Sequence, residues 1–219
     1  MKEAIEIHRA KMEEFKKFLH QATVFEFPQL LDEAGRILNR IGSNLRFAID
    51  LWDFIDSFED YMSNIRSQPW ASVDLDAVEV QSHAFNDAVF AMPASIRFSH
   101  AFTTIQAAVK ELLATCPLMA SLQSENMRER HWDQMGAKLD KVVPNPLRQQ
   151  REAREKELSG IEVTEQPLKL STILSLGLHE HVEAVEELME AAMKENKMEA
   201  SLDRMRVYWD ALEFQVNEY

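Results

Sequence analysis

Residues 30–66 read LLDEAGRILNRIGSNLRFAIDLWDFIDSFEDYMSNIR. Within them Leu30, Ala34, Ile37, Ile41, Leu45, Ala48, Trp52, Ile55, Phe58, Met62 and Ile65 recur at steps of three or four. That spacing places them on one face of an α-helix and cannot be produced by the alternation of a strand. The run predicts one long helix to about Arg66. Gly42 lies inside it, and an interior glycine costs roughly 1 kcal/mol relative to alanine, so a bend or local break is expected there.

The same period extends outward in both directions. Upstream, Ile5, Met12, Phe15 and Leu19 form a stripe on a charged segment reaching about Gln21, with Glu13 and Lys17 spaced to pair. Pro28 disfavours helical geometry at Phe27 and closes that segment. Downstream, Gln68-Pro69-Trp70 ends the long helix, and Ser72 or Asp74 is placed to cap a third through Leu75, Val78, Phe85 and Val89. A fourth is expected from near Pro93, through Phe98, Phe102, Ile105, Val109 and Leu112, closing at Thr115-Cys116-Pro117. Pro117 then opens a fifth through Leu118, Leu122 and Met135. Between about Gly136 and Leu170 the apolar pattern fades into a linker or exposed insertion with one short polar helix. Two stripes follow, Val182-Val185-Met189-Ala192 and Met198-Leu202-Met205-Trp209-Leu212, separated by a corner at Asn196-Lys197 or joined as one helix. The fold class is therefore all-α, as elongated helical bundles.

Composition narrows the function. The 219 residues carry a net charge of −13, which disfavours binding to a phosphate backbone. Cys116 is the single cysteine, so neither an internal disulfide nor a multi-thiolate metal site can form. The charged N-terminus lacks the apolar core of a signal peptide, and nowhere do 18 apolar residues run together. No nucleic-acid partner and no membrane partner is expected.

Tests for chemistry give no site. None of the glycines at 35, 42, 136, 160 and 177 builds a Gly-x-x-x-x-Gly-Lys-Ser/Thr phosphate loop. No histidine has an acidic residue three positions before it, which removes the Glu-x-x-His di-iron pattern. His179 and His181 are two apart and point to different sides of a helix. A Gly-x-Ser-x-Gly elbow is absent. Cys116, beside Pro117, reads as a small buried hydrophobe. Arg148, Arg151, Arg154 and Lys156 alternate with Glu152, Glu155 and Glu157, as on a solvated helix. The expectation is no catalytic, cofactor-binding or metal-ligating residue.

Two blocks carry a resemblance. Cys116-Pro117-Leu118-Met119-Ala120-Ser121-Leu122, followed by Arg128-Glu129-Arg130-His131-Trp132-Asp133-Gln134-Met135, resembles the proline-leucine and Arg-His-Trp signature of dynein heavy chains near the start of the linker. The stretch Leu170 to His181, continuing through Ala192-Met193-Lys194-Glu195, Met198-Glu199, Leu202, Trp209 and Phe214, is similar to that family's leucine-rich block. Trp52 and Pro69-Trp70 also look like the family, and the Arg-His-Trp wording is closer to axonemal chains.

The resemblance implies a tail-end helical bundle over 1–115 and the start of the linker over 116–219, with a variable loop at about 136–169. It implies a non-catalytic mechanical segment of an ATP-driven microtubule motor, in which Arg128, Arg130, His131 and Trp132 anchor linker helices. ATP and Mg would be used by the parent chain, not here. Implied partners are the rest of the heavy chain with its AAA+ ring, other dynein subunits and, indirectly, microtubules. The implied location is the cytoplasm and cytoskeleton, or the axoneme of a cilium or flagellum. The ending at Tyr219, inside the resemblance, is expected of a fragment. A different reading from the same residues is a stand-alone helical scaffold binding proteins through apolar or acidic helix faces. A third is an enzyme with an unrecognised bundle site.

Overall fold

The computed structural model describes residues 2–25, 32–159 and 168–212. Among them are eight α-helices: α1 Lys2–Val24, α2 Asp32–Ser67, α3 Leu75–Ala91, α4 His100–Leu122, α5 Glu129–Leu139, α6 Pro146–Leu158, α7 Leu170–Leu174 and α8 Val182–Asp210. Short 3-10 turns occur at Trp70–Ser72 and Leu178–Glu180, and no strand is formed among the described residues. The expected break at Phe27-Pro28, the start of the first stripe at Leu30, Gly160, Gln166-Pro167 and Phe214 lie outside the described residues.

The chain divides into two compact units, Met1–Ser63 with Ser82–Lys110, and Asn64–Gln81 with Glu111–Tyr219. In the first, α1 and the start of α2 form an antiparallel hairpin. Leu19 Cδ2 lies 3.9 Å from where a Cβ on Gly35 would sit, and Met12 Cε lies 2.7 Å from the equivalent point on Gly42. Gly42 therefore does not break the helix; it admits the Met12 methyl and lets the two backbones approach. Phe85 of α3 is gripped by Phe54, Phe58 and Tyr61 of α2, with centroid separations of 5.8, 5.2 and 5.3 Å. The Phe54 and Phe58 contacts are edge to face and the Tyr61 contact is tilted; edge-to-face aromatic pairs add about 0.5–1.5 kcal/mol each beyond their burial.

Several boundaries differ from the sequence reading. The fourth helix starts at His100 rather than near Pro93, because Ser99 Oγ accepts the Phe102 amide at 3.3 Å and caps the helix there. Phe98, assigned to the stripe, instead sits in the preceding turn, 92% exposed. Arg97 fixes that turn by donating to the carbonyls of Phe90 and Met92. Glu13 pairs with Lys16 rather than Lys17.

Pro117 opens no new helix either, and α4 runs through it to Leu122. Proline withdraws one backbone hydrogen bond, but Val109, Leu112, Cys116, Met119 and Leu122 share a single buried face. Their burial outweighs the loss. The final two stripes lie on the one continuous helix α8.

The second unit is built around residues with no more than 2% exposure, among them Trp132, Met119, Leu122, Met135, Leu170, Ile173, Leu178, Leu188 and Val185. Burying a large apolar side chain contributes about 1.5–3 kcal/mol. A two-bond backbone bridge ties the end of α2 to the start of α7: Trp70 N donates to Leu168 O at 2.7 Å, and Leu170 N to Gln68 O at 2.9 Å.

Candidate functional site

The sequence residues Arg128, Arg130, His131 and Trp132 come together at the start of α5, within the second unit. Arg128 is the extended residue before the helix, and its amide donates to His131 Nδ1 at 3.0 Å. Such a bond satisfies one of the backbone donors that a helix start leaves open. Because Nδ1 accepts, the ring proton sits on Nε2, which meets Glu195 Oε2 of α8 at 2.9 Å. His131 is fully buried, so both ring nitrogens are satisfied inside the protein.

Two guanidinium groups surround this bond. Arg130 reaches Glu195 and, at 3.0 Å, Glu199, while Arg128 reaches Glu199 at 3.1 Å. Hydrogen bonding from His131, followed by that from Arg130, holds the Glu195 carboxyl below the usual carboxylate range. The Glu199 carboxylate, and to a lesser degree Glu195, raises the Arg130 guanidinium. These two carboxylates also lie at the N-terminus of α5, where the helix dipole favours negative charge.

At the other end of α5, Lys138 pairs with Glu187 at 2.8 Å and lowers that carboxyl. The N-terminus of α5 thus faces residues 195–199 of α8 and its C-terminus faces 187, so the two helices run antiparallel. Exposed ion pairs contribute little individually, about 0–1 kcal/mol. Here they are set on a rigid apolar base: Trp132 meets Trp70 edge to face at 6.3 Å, and both rings are buried.

The opposite flank of α5 holds α6. Asn145, buried, donates to Glu129 O at 2.8 Å and Asp133 Oδ1 at 3.1 Å, while its own Oδ1 accepts the Arg148 amide and caps α6. Arg148 reaches Asp133 at 2.7 Å, and Arg151 makes a two-pronged contact with Glu129. Arg148 and Arg151, read from the sequence as part of a solvated helix, are therefore tied to α5. Asp140 ends α5 in the left-handed region at φ 49°, and Lys141 Nζ then donates to Leu176 O at 2.6 Å.

Pattern reading missed Glu187, Glu195, Glu199 and Asn145. The glutamates were hidden in an acidic helix that reads as a solvated face. Glu195 and Glu199 are spaced i,i+4 and so share one helix face, but nothing in the sequence links that face to Arg128, Arg130 and His131, 64 to 71 residues away.

A cavity of about 260 Å³ adjoins the tryptophan pair, lined by Trp70, Leu122, Gln123, Met127, Trp132 and Pro146 among others, none of them titratable. His179 and Glu180 lie in a 3-10 turn. Among the described residues, no group of three His, Cys, Asp or Glu converges as metal ligands. No described helix is long and apolar enough to cross a membrane. Cys116 is buried. What this arrangement can do chemically is bind helix to helix through a buried aromatic base and a charged rim.

Such a junction defines a helix-bundle segment whose residues join structure to structure. Residues 38–219 match the family model described as dynein heavy chain, N-terminal region 2, and the chain belongs to that family. It is 29% identical over 198 residues, 90% of its length, to the dynein alpha chain of the flagellar outer arm from Chlamydomonas reinhardtii. It is 26% identical over 167 residues, 76% of its length, to human dynein axonemal heavy chain 9. It is 25% identical over 210 residues, 96% of its length, to a ciliary dynein beta chain from Heliocidaris crassispina. The chain spans only 4%, 3% and 4% of the lengths of these relatives.

Proposed function

We propose that this chain is a non-catalytic, force-bearing segment of an axonemal dynein heavy chain, joining the tail to the start of the linker. In this reading residues 1–115 form the tail-end bundle and 116–219 begin the linker, with 136–169 as its variable part. The segment passes on the power stroke of an ATP-driven microtubule motor. ATP and Mg act elsewhere in the heavy chain, whose AAA+ ring and associated subunits are its partners. Microtubules are reached indirectly, and the location is the axoneme of a cilium or flagellum.

The observation that carries this reading is the α5–α8 junction. The bond from buried His131 to the partly exposed Glu195, together with the Trp70–Trp132 contact, is flanked by Arg128, Arg130 and Lys138, each bound to α8. A densely filled interior resists deformation, so helices joined this way move as one piece under load. The family match and the axonemal, flagellar and ciliary names of the relatives support the motor and its location.

A second reading, a free-standing protein-binding scaffold, is favoured by one feature. Met198, Leu202, Met205 and Trp209 form a heptad-spaced stripe on α8 that is exposed. The two readings separate by the mass of the native polypeptide, probed on a denaturing gel with an antibody raised to this segment. The motor reading expects a band many times larger than 25.3 kDa. A lone band near that mass leaves the scaffold.

A further inference from the structure

The helix α8 is packed along its first part and bare along its last. Val185, Leu188, Met189 and Ala192 are buried, whereas every residue from Leu202 to Leu212 is exposed. The bare part is not polar. Met198, Leu202, Met205 and Trp209 are 58%, 64%, 57% and 66% exposed, at steps of four, three and four. That strict heptad spacing makes the narrow seam of a two-helix coiled coil, with Leu202 and Trp209 at a and Met198 and Met205 at d. Counted back in the same register, the preceding a position is Glu195, which α5 already holds through His131 and Arg130. The open seam therefore begins where α5 leaves off.

That position decides the orientation of a second helix. A parallel copy would bring two α5 helices to the same stretch of seam, where they collide. An antiparallel copy places each α5 beyond the end of the other overlap. In antiparallel pairs a faces d, e faces e and g faces g. Met198 then meets Trp209 of the second copy and Leu202 meets its Met205, each layer formed twice about the two-fold axis. The same register sets Glu199, at e, opposite Arg206 of the second copy, also at e and also twice. Ser201 and Tyr208 face each other at g. Glu199 bonds to Arg128 and Arg130, yet its side chain is 43% exposed and keeps a face for a third donor. An unrelated helix would have to reproduce this arrangement; a second copy of the chain already carries it.

We propose that two copies of the chain pair through the exposed end of α8 as an antiparallel homodimer, with Met198, Leu202, Met205 and Trp209 as its seam and Glu199–Arg206 pairs at its edge. The pairing needs only α8, so it stands apart from the motor reading. From Met198 to Trp209 the overlap is roughly 18 Å of helix. It buries less than the ~1,200 Å² of a standard stable interface, so the dimer exchanges with monomer at micromolar concentrations.

Sedimentation equilibrium of the full 219-residue chain should show that exchange directly. Leu202→Asp should leave monomer only. Arg206→Glu, which sets like charges opposite Glu199, should weaken the dimer about tenfold, ~1.4 kcal/mol. Both side chains are exposed, so the circular dichroism and thermal midpoint of these variants should match the parent. Orientation is read by oxidative crosslinking, with the native Cys116 buried and out of reach. A mixture of Met198→Cys and Trp209→Cys chains should form a disulfide-linked heterodimer. Met198→Cys alone should form none, because its two copies lie ~16 Å apart along the antiparallel pair. A chain that stays monomeric, a dimer indifferent to Leu202→Asp or Arg206→Glu, or crosslinking of Met198→Cys to itself overturns the proposal.

Discussion

His131 Nε2 and Glu195 Oε2 lie 2.9 Å apart, joining the first turn of α5 to the middle of α8 across 64 residues of chain. The same imidazole accepts the amide of Arg128, so one buried side chain both starts a helix and fastens it to its neighbour. Arg128 and Arg130 close the exposed side of that bond through Glu199 and Glu195.

Replacing His131 removes both roles at once. His131→Ala leaves the Arg128 amide without its acceptor and a cavity beside Trp132, and should destabilise the chain by about 2–4 kcal/mol. His131→Asn, whose side-chain oxygen can occupy the place of Nδ1, should recover part of the loss by restoring the helix start. Urea unfolding of the three proteins measures this, and equal stability of His131→Ala and the parent would remove His131 from the account.

Glu195 gives the junction a pH dependence of known sign. Its folded carboxyl titrates below the usual carboxylate range, chiefly because His131 hydrogen bonds to it. The ionised form is therefore favoured by folding. Its contribution is full above the ordinary range, about pH 4.3, and fades as the pH falls through the lower folded value. The stability gap between the parent and Glu195→Gln should be constant near neutrality and close below about pH 4. Added salt should narrow it too, since Glu195 and Arg130 are partly exposed. A gap that widens on acidification contradicts the assignment.

Pro117 offers a test of the opposite sign. It is exposed within α4, and the helix continues through it only because the buried face does. Pro117→Ala restores the missing hydrogen bond and should stabilise the chain by about 1–2 kcal/mol, after allowing for the freer unfolded state. A rise in thermal midpoint is expected; a fall would mean that the ring itself is packed against something essential.

Asn145 holds α6 to α5. Asn145→Ala removes the α6 cap and both bonds to α5, and should cost about 1–2 kcal/mol. Hydrogen exchange should accelerate at the Arg148 amide and along α6, with α8 little changed. Uniform protection across α6 would show that its ion pairs alone suffice.

Helices with a single continuous stripe were legible from spacing: α3 buries Leu75, Val78, Phe85 and Val89 as read. Asp74 caps it, accepting the Ala77 amide at 3.0 Å. Spacing alone could not show which of two adjacent faces turns inward. Gly35 and Gly42 meet Leu19 and Met12 of α1, since a glycine allows the closest approach of two backbones, and Leu38 between them is buried while Ile37 and Ile41 stay partly exposed. Nor could local rules show that the buried face outweighs Pro117 in α4, or that Ser99 starts that helix after Phe98. Of the junction, Arg128, Arg130, His131 and Trp132 were legible as a block. Their glutamate partners were not, since pairings some 50 to 70 residues apart leave no periodic trace in one sequence.

The central claim is that this segment carries force without taking part in chemistry. It is tested most directly in a complete heavy chain bearing Glu195→Ala and Glu199→Ala, by measuring microtubule gliding velocity and ATP hydrolysis on the same preparation. The account predicts that gliding slows while hydrolysis per motor is retained. Loss of hydrolysis in proportion to velocity, or no change in velocity, would contradict it.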